Sequence, residues 1–238
     1  MRVLVTRPIE QAENTAEKLR GLGLEPLVCP LTRFTPLSSW ELRGRDFTGV
    51  ILTSANTVKA IEASEKLDAL GSATIACVGE KTAEAARKAG FRSIAHISPD
   101  VESLIKALDL NRFAPQSERW LYLRGEDVTR DLGTEFPQTV TDIVVYDMRA
   151  DREEIAKANA ALSEARVDGA LFYSLRAVDL LGRETQPIIE VPAFCLSSAI
   201  AARAKEAGFK ESFSSTRATE AALFEHLQEW WTARRLSD

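Results

Sequence analysis

Short apolar runs rich in β-branched residues recur along the chain, at residues 3–5, 50–52, 75–78, 120–123, 143–146, 170–172 and 193–196. Between them lie segments of helical character, each about a dozen residues long. That alternation is the rhythm of a parallel sheet, so the pattern predicts an α/β fold. The helical segments carry stop signals where such a fold needs them. AENTAEKLRGLG runs out at Gly21 and Gly23, TAEAARKAG at Gly90, and AIAARAKEAG at Gly208.

The pattern also repeats. CVGEKTAEAARKAGF (77–91) resembles CLSSAIAARAKEAGF (195–209), with Cys195 standing 118 positions after Cys77. At nearly the same offset Leu52-Thr53-Ser54 matches Phe172-Tyr173-Ser174, Val101-Glu102 matches Thr219-Glu220, and Arg2-Val3-Leu4 matches Arg119-Trp120-Leu121. Solenoid repeats run to about 20 to 50 residues, so a period this long predicts two similar α/β lobes with a cleft between them. Ligands of such folds sit beyond the carboxyl ends of the strands, where loops and helix N-termini present unpaired backbone N–H groups.

The residues at those ends are therefore the candidates. Thr6-Arg7-Pro8 follows the first run; Pro8 suits a helix start, and Arg7 either faces an anion or belongs to an ordinary cap turn. Thr53-Ser54-Ala55-Asn56 follows the second run, answered in the other repeat by Tyr173-Ser174-Leu175-Arg176, where hydroxyls cap a helix, contact a ligand, or do both. In Val78-Gly79-Glu80-Lys81-Thr82 a glycine stands where the backbone must bend or approach something closely. Its counterpart, Leu196-Ser197-Ser198-Ala199-Ile200, has neither the glycine nor the threonine, so the two turns bind differently. Arg124-Gly125-Glu126 sets a cation on a flexible turn, for a ligand or for a surface ion pair. DIVVYDMR (142–149) ends an apolar stretch on Tyr146, either a core ring with a wet hydroxyl or a phenolic proton donor.

Composition narrows the chemistry. Across 238 residues the formal charge is −5, so no global positive field draws in nucleic acid or an anionic membrane, and an acidic ligand must rely on local cations. The apolar run near the N-terminus is too short for a signal-peptide core, and no run approaches the roughly 18 residues of a membrane span. Three scattered cysteines, Cys29, Cys77 and Cys195, each in an apolar stretch, read as reduced core thiols of a cytoplasmic protein. The two histidines have no partner at ligand spacing, which argues against zinc. There is no nucleophile elbow, phosphate-binding loop or GxGxxG, so covalent and metal-assisted catalysis have no support in the sequence. Trp230, Trp231, Arg234 and Arg235 form either a contact surface or a frayed end, and the frayed end is the preferred reading.

Taken in order, VLVTRP, VILTSANTV, CVGEKTAEAARKAGF, LYLRGE, DIVVYDMR, FYSLRAV and CLSSAIAARAKEAGF resemble the uroporphyrinogen-III synthase family over nearly the whole chain. The resemblance implies two flavodoxin-like or closely related lobes joined by a two-stranded connector, one formed by 1–35 and 149–238, the other by 38–144. It implies conversion of hydroxymethylbilane, a linear tetrapyrrole with eight carboxylates, to uroporphyrinogen III with loss of water and inversion of the last ring. It implies no cofactor and no metal, a monomer, and a transient handover from the enzyme that makes the substrate. Tyr146 takes the position of the family tyrosine that helps hydroxide depart. Thr6, Arg7, Ser54, Asn56, Gly79, Lys81, Thr82, Arg124, Gly125, Ser174, Arg176, Ser197 and Ser198 become substrate-binding candidates. The chain departs from the family pattern at Ser197 and Ile200, which stand for glycine and threonine and remove a hydroxyl at position 200. Two other classes compete: a two-lobed binding or sensor protein for a small anion or tetrapyrrole, and a nucleotide-dependent transferase, for which the sequence offers no phosphate loop.

Overall fold

The computed structural model describes residues 1–42, 47–111, 119–182 and 188–235. From the N-terminus, β1 (Arg2–Val5), α1 (Ile9–Gly21), β2 (Glu25–Val28) and β3 (Thr32–Pro36) lead into β4 (Gly49–Leu52), α2 (Ala55–Ala63), α3 (Leu67–Leu70) and β5 (Thr74–Val78). There follow α4 (Glu80–Ala89), β6 (Ser93–Ser98), α5 (Val101–Ala107), β7 (Trp120–Gly125), α6 (Leu132–Glu135) and β8 (Val140–Ala150). The chain continues through α7 (Arg152–Ser163), β9 (Gly169–Phe172), α8 (Leu175–Gly182), β10 (Ala193–Cys195), α9 (Ser198–Glu206), β11 (Ser212–Ser214) and α10 (Glu220–Arg235).

Two compact units result, Met1–Arg33 with Arg149–Asp238, and Phe34–Met148. The first holds a sheet in the order β2-β1-β9-β10-β11, with every neighbouring pair parallel. The second is built on the order β3-β8-β7-β4-β5-β6, parallel from β8 to β6. By the internal repeat, β1 and β2 correspond to β7 and β8, and β9, β10 and β11 to β4, β5 and β6. The two sheets thus share one spatial order and differ in where the chain enters it. Counted along the chain the first unit reads 2-1-3-4-5, the flavodoxin order, whereas the second, β3 aside, reads 5-4-1-2-3 when its strands are numbered from β4 to β8. The divisions between units fall inside β3 and β8, which are neighbours in the sheet, so these two strands are the connector.

Each sheet is covered on both faces, which explains the unbroken apolar runs. Side chains alternate across a strand: Leu4, Ala170, Phe172 and Cys195 enter one core with α7, α8 and α9, while Val3, Val5, Leu171 and Phe194 enter another with α1 and α10. In the second unit Val50, Leu52, Ile75, Leu121 and Leu123 pack with α2 and α4, and Ile51, Ala76, Trp120 and Tyr122 pack with α5. Burial pushes the thiols up to about 11 for Cys29 and Cys77 and about 12 for Cys195, so all three stay protonated.

One expectation is corrected. Trp230, Trp231, Arg234 and Arg235 lie in the last part of α10 rather than in a frayed end. The Trp230 ring packs edge-on against buried Phe194 at 5.6 Å, so apolar contact holds the helix as far as Trp230, and one turn on the Arg234 guanidinium lies 5.2 Å from the Trp230 centroid.

Candidate active site

Parallel strands bring their carboxyl ends to one edge of each sheet. The connections diverge there between β1 and β9 in one unit and between β7 and β4 in the other, and such switch points are where α/β sheets bind ligands.

In the unit Phe34–Met148, Tyr146 of β8 stands opposite Gly125 of β7 in the ladder. Its side chain is buried, tilted against Phe34 at 5.4 Å between centroids. The ring lies over Gly125: a Cβ there would come within 2.7 Å of Cζ and 2.9 Å of the hydroxyl oxygen of Tyr146. Glycine at 125 is therefore what allows the phenol to cross β7. Among the described residues no group hydrogen-bonds the Tyr146 hydroxyl.

Arg124 turns the other way. Its Nε and Nη2 donate to Asp142 Oδ2 at 2.8 and 2.7 Å, Nη2 stands 3.6 Å from Asp131, and Nη1 donates to the carbonyls of Gly125 and Glu126. Of the two expectations for this side chain the structure shows the ion pair, partly buried rather than at the surface. Beside it Thr53 Oγ1 and the Tyr122 hydroxyl share a 3.0 Å hydrogen bond. Ser54 caps α2, accepting from Asn56 N at 3.2 Å, and Asn56 Nδ2 lies 3.9 Å from Met148 Sδ. Gly79 opens α4 with φ 78°, a left-handed conformation that favours glycine, and donates its N–H to Ser98 O. Lys81 is exposed, whereas the Thr82 side chain is buried.

In the other unit the groups leaving β1 and β9 are tied together. Thr6 is buried with its hydroxyl donating to Leu171 O at 2.8 Å, so this side chain fastens β1 to β9 rather than facing outward. Arg7 lies 4.1 Å above the Tyr173 ring and donates to Gln11, to Thr15 and, at 2.8 Å, to Glu220 Oε1. Glu220 also accepts from Thr15 at 2.6 Å, Lys18 at 2.5 Å and Tyr173 at 3.0 Å. Ser174 and Ser197 act as caps, accepting from Ala177 N and Ile200 N. Ser198 is exposed, Arg176 is half-buried, and Ile200 points into the core where the family pattern has a threonine. The exposed aliphatic side chains Ile9 and Leu175 open α1 and α8 at this edge.

Sequence reasoning passed over Glu220, Thr15, Lys18, Tyr122, Asp131 and Asp142 as site residues. Glu220 was visible only as the repeat partner of Glu102, and the rest sit in helices, strands or turns with nothing local to mark them.

Burial pushes the Glu220 carboxyl up, but the hydrogen bonds from Lys18, Thr15 and Tyr173 outweigh it and hold the group below the usual carboxylate range. A depressed folded-state value contributes stability that is present above the unfolded carboxylate value of about 4.3 and is lost as pH falls through the folded one. The melting temperature should therefore drop on acidification below about pH 5, and drop less steeply in Glu220→Gln. Parallel slopes in thermal scans would remove Glu220 from the acid transition.

A model of the family described as uroporphyrinogen-III synthase HemD matches residues 13–225. The chain belongs to the uroporphyrinogen-III synthase family. A uroporphyrinogen-III synthase of Chlorobaculum parvum is 26% identical over 183 residues, 72% of this chain and 74% of that one. The porphyrin biosynthesis protein HemD of Ruminiclostridium josui is 24% identical over 226 residues, covering 86% of this chain; the match spans 44% of that longer relative. A crystal structure of a mutant uroporphyrinogen III synthase from the extremely thermophilic bacterium Thermus thermophilus aligns over 98% of this chain and 99% of that one, with TM-score 0.57 and 18% identity, which shows the shared fold. Family membership gives the Tyr146–Gly125 arrangement and the two strand-end clusters their chemical setting. Among the described residues no helix is long and apolar enough to cross a membrane.

Proposed function

We propose that this protein converts hydroxymethylbilane to uroporphyrinogen III, and that the Tyr146 hydroxyl delivers the proton with which the substrate's hydroxyl departs. The observation that carries the reading is a phenol laid across Gly125 with no protein partner for its O–H among the described residues, in a chain of this family. A hydroxyl that the protein leaves unpaired, on a ring otherwise packed in place, is a donor available to a ligand.

The step balances without a cofactor. The phenol gives its proton to the leaving hydroxyl, water departs, and the substrate becomes a resonance-stabilised azafulvene cation. Attack by the substituted carbon of the last pyrrole gives a spirocyclic intermediate, whose rearrangement and ring closure yield the inverted product. The proton lost on re-aromatisation restores the phenol. Because the substrate supplies much of the reactivity, the protein's share is largely to fold a flexible chain into the conformation that closes with inversion.

The remaining groups suit that task. Lys81, exposed at the start of α4 where the Gly79 turn and the buried Thr82 fix the backbone, offers a cation to carboxylates, and Ser54 and Asn56 at the start of α2 offer short polar side chains. Ser174, Arg176, Ser197 and Ser198 offer the same from α8 and α9. Ile9 and Leu175 supply exposed apolar surface suited to pyrrole rings. Three buried thiols held in their protonated form support a reducing compartment, the cytoplasm.

The test supplies purified hydroxymethylbilane with and without the protein and separates the oxidised products as type I and type III uroporphyrin. Type III formed only with the protein establishes the activity. Type I alone, at the spontaneous rate, would defeat it and leave a non-catalytic binder.

A further inference from the structure

Glu220 accepts from two cations and two hydroxyls, about as many donors as the lone pairs of a carboxylate can take. Arg7, Lys18, Thr15 and Tyr173 therefore form a complete receptor for one carboxylate. The fold does not require this closure, as the sister sheet makes plain. There the repeat partners of Arg7 and Glu220 are Arg124 and Glu102, and they have parted: Arg124 pairs with Asp142 and Asp131, and Glu102 with Arg130 at 2.7 Å. The same strand order stands without an arginine–glutamate pair at the switch point.

Geometry also lets the carboxylate leave. Glu220 is the first residue of α10, so rotation about its side-chain bonds releases it without moving the helix. Lys18 is half exposed and Arg7 about a quarter exposed, so another carboxylate has access to both. Exchange of one carboxylate for another keeps the charge balance of the cluster, whereas a neutral ligand group would strand two cations.

We infer that Arg7, Lys18, Thr15 and Tyr173 form a subsite for one of the substrate's carboxylates, that Glu220 occupies it in the free protein, and that this competition sets the affinity. The inference rests on the synthase reading for the identity of the ligand. Substrate binds in proportion to the fraction of molecules in which the subsite is open, so Glu220 acts as a brake on binding and not on chemistry.

The experiment measures KM and kcat for hydroxymethylbilane in wild type, Glu220→Gln and Lys18→Met, together with binding of uroporphyrin, an eight-carboxylate tetrapyrrole, at low and moderate salt. Glu220→Gln should lower KM and the uroporphyrin Kd about threefold to tenfold, with a steeper salt dependence, because two cations then face the ligand uncompensated. Lys18→Met should raise both about threefold. A residue that only fastened α10 to α1 would lower the melting temperature and leave KM unchanged or raised. That result in a folded Glu220→Gln protein overturns the inference. If the glutamine variant does not fold, an unchanged KM and Kd in Lys18→Met overturns it instead. A wild type that makes only type I product, with uroporphyrin binding still tightened by Glu220→Gln, defeats the synthase reading and leaves the subsite standing.

Discussion

Tyr146→Phe is expected to slow formation of the type III product about a hundredfold, the lower end of what a positioned acid contributes, while the protein melts at its wild-type temperature. The two halves of that expectation come from the same geometry. Most buried tyrosines lose a hydrogen bond on becoming phenylalanine and leave the former partner unsatisfied. Here no described residue bonds the hydroxyl, so its removal strands nothing, and the ring keeps its place against Phe34 and over Gly125. Gly125→Ala gives the complementary result: the added carbon would lie 2.7 Å from Cζ, so the ring must swing away and activity should fall although the phenol is intact. Single-turnover rates for the three proteins decide the matter. A wild-type rate in Tyr146→Phe would leave the tyrosine as packing alone.

Arg124→Met carries the second large effect, and it should appear in stability. Removing the guanidinium takes away the paired hydrogen bonds to Asp142 and the contacts to the carbonyls of Gly125 and Glu126, and strands a partly buried carboxylate. The loss should be about 2 kcal/mol, read as a lower urea midpoint. Arg124→Met combined with Asp142→Leu should regain part of it, since the carboxylate is then no longer unpaired. Below the unfolding transition KM should move little, because these donors are already engaged within the protein. A tenfold rise in KM at undiminished stability would mean that Arg124 leaves Asp142 for the substrate, and would restore it as a binding residue.

The sequence by itself determined the α/β class, the duplication and the family, because those rest on signals that are local or ordered along the chain. Buried strands such as β1, β4, β5, β7, β9 and β10 bury both faces, so their runs are continuously apolar and legible. The strands it did not mark, β2, β3, β6 and β11, are the four edges of the two sheets. Edge strands are half exposed and tolerate proline, as in Glu25–Val28 and Thr32–Pro36, so they carry no such run. It also placed Tyr146, Gly125 and Arg124 at strand ends, but not what they do there. That Gly125 makes room for a ring 21 positions later, that Arg124 turns inward to Asp142, and that Glu220 closes over Arg7 from 213 positions away were decided only by tertiary structure. A side chain's partner is set by which strands become neighbours, and in a duplicated fold entered at two different points sequence spacing does not reveal that adjacency.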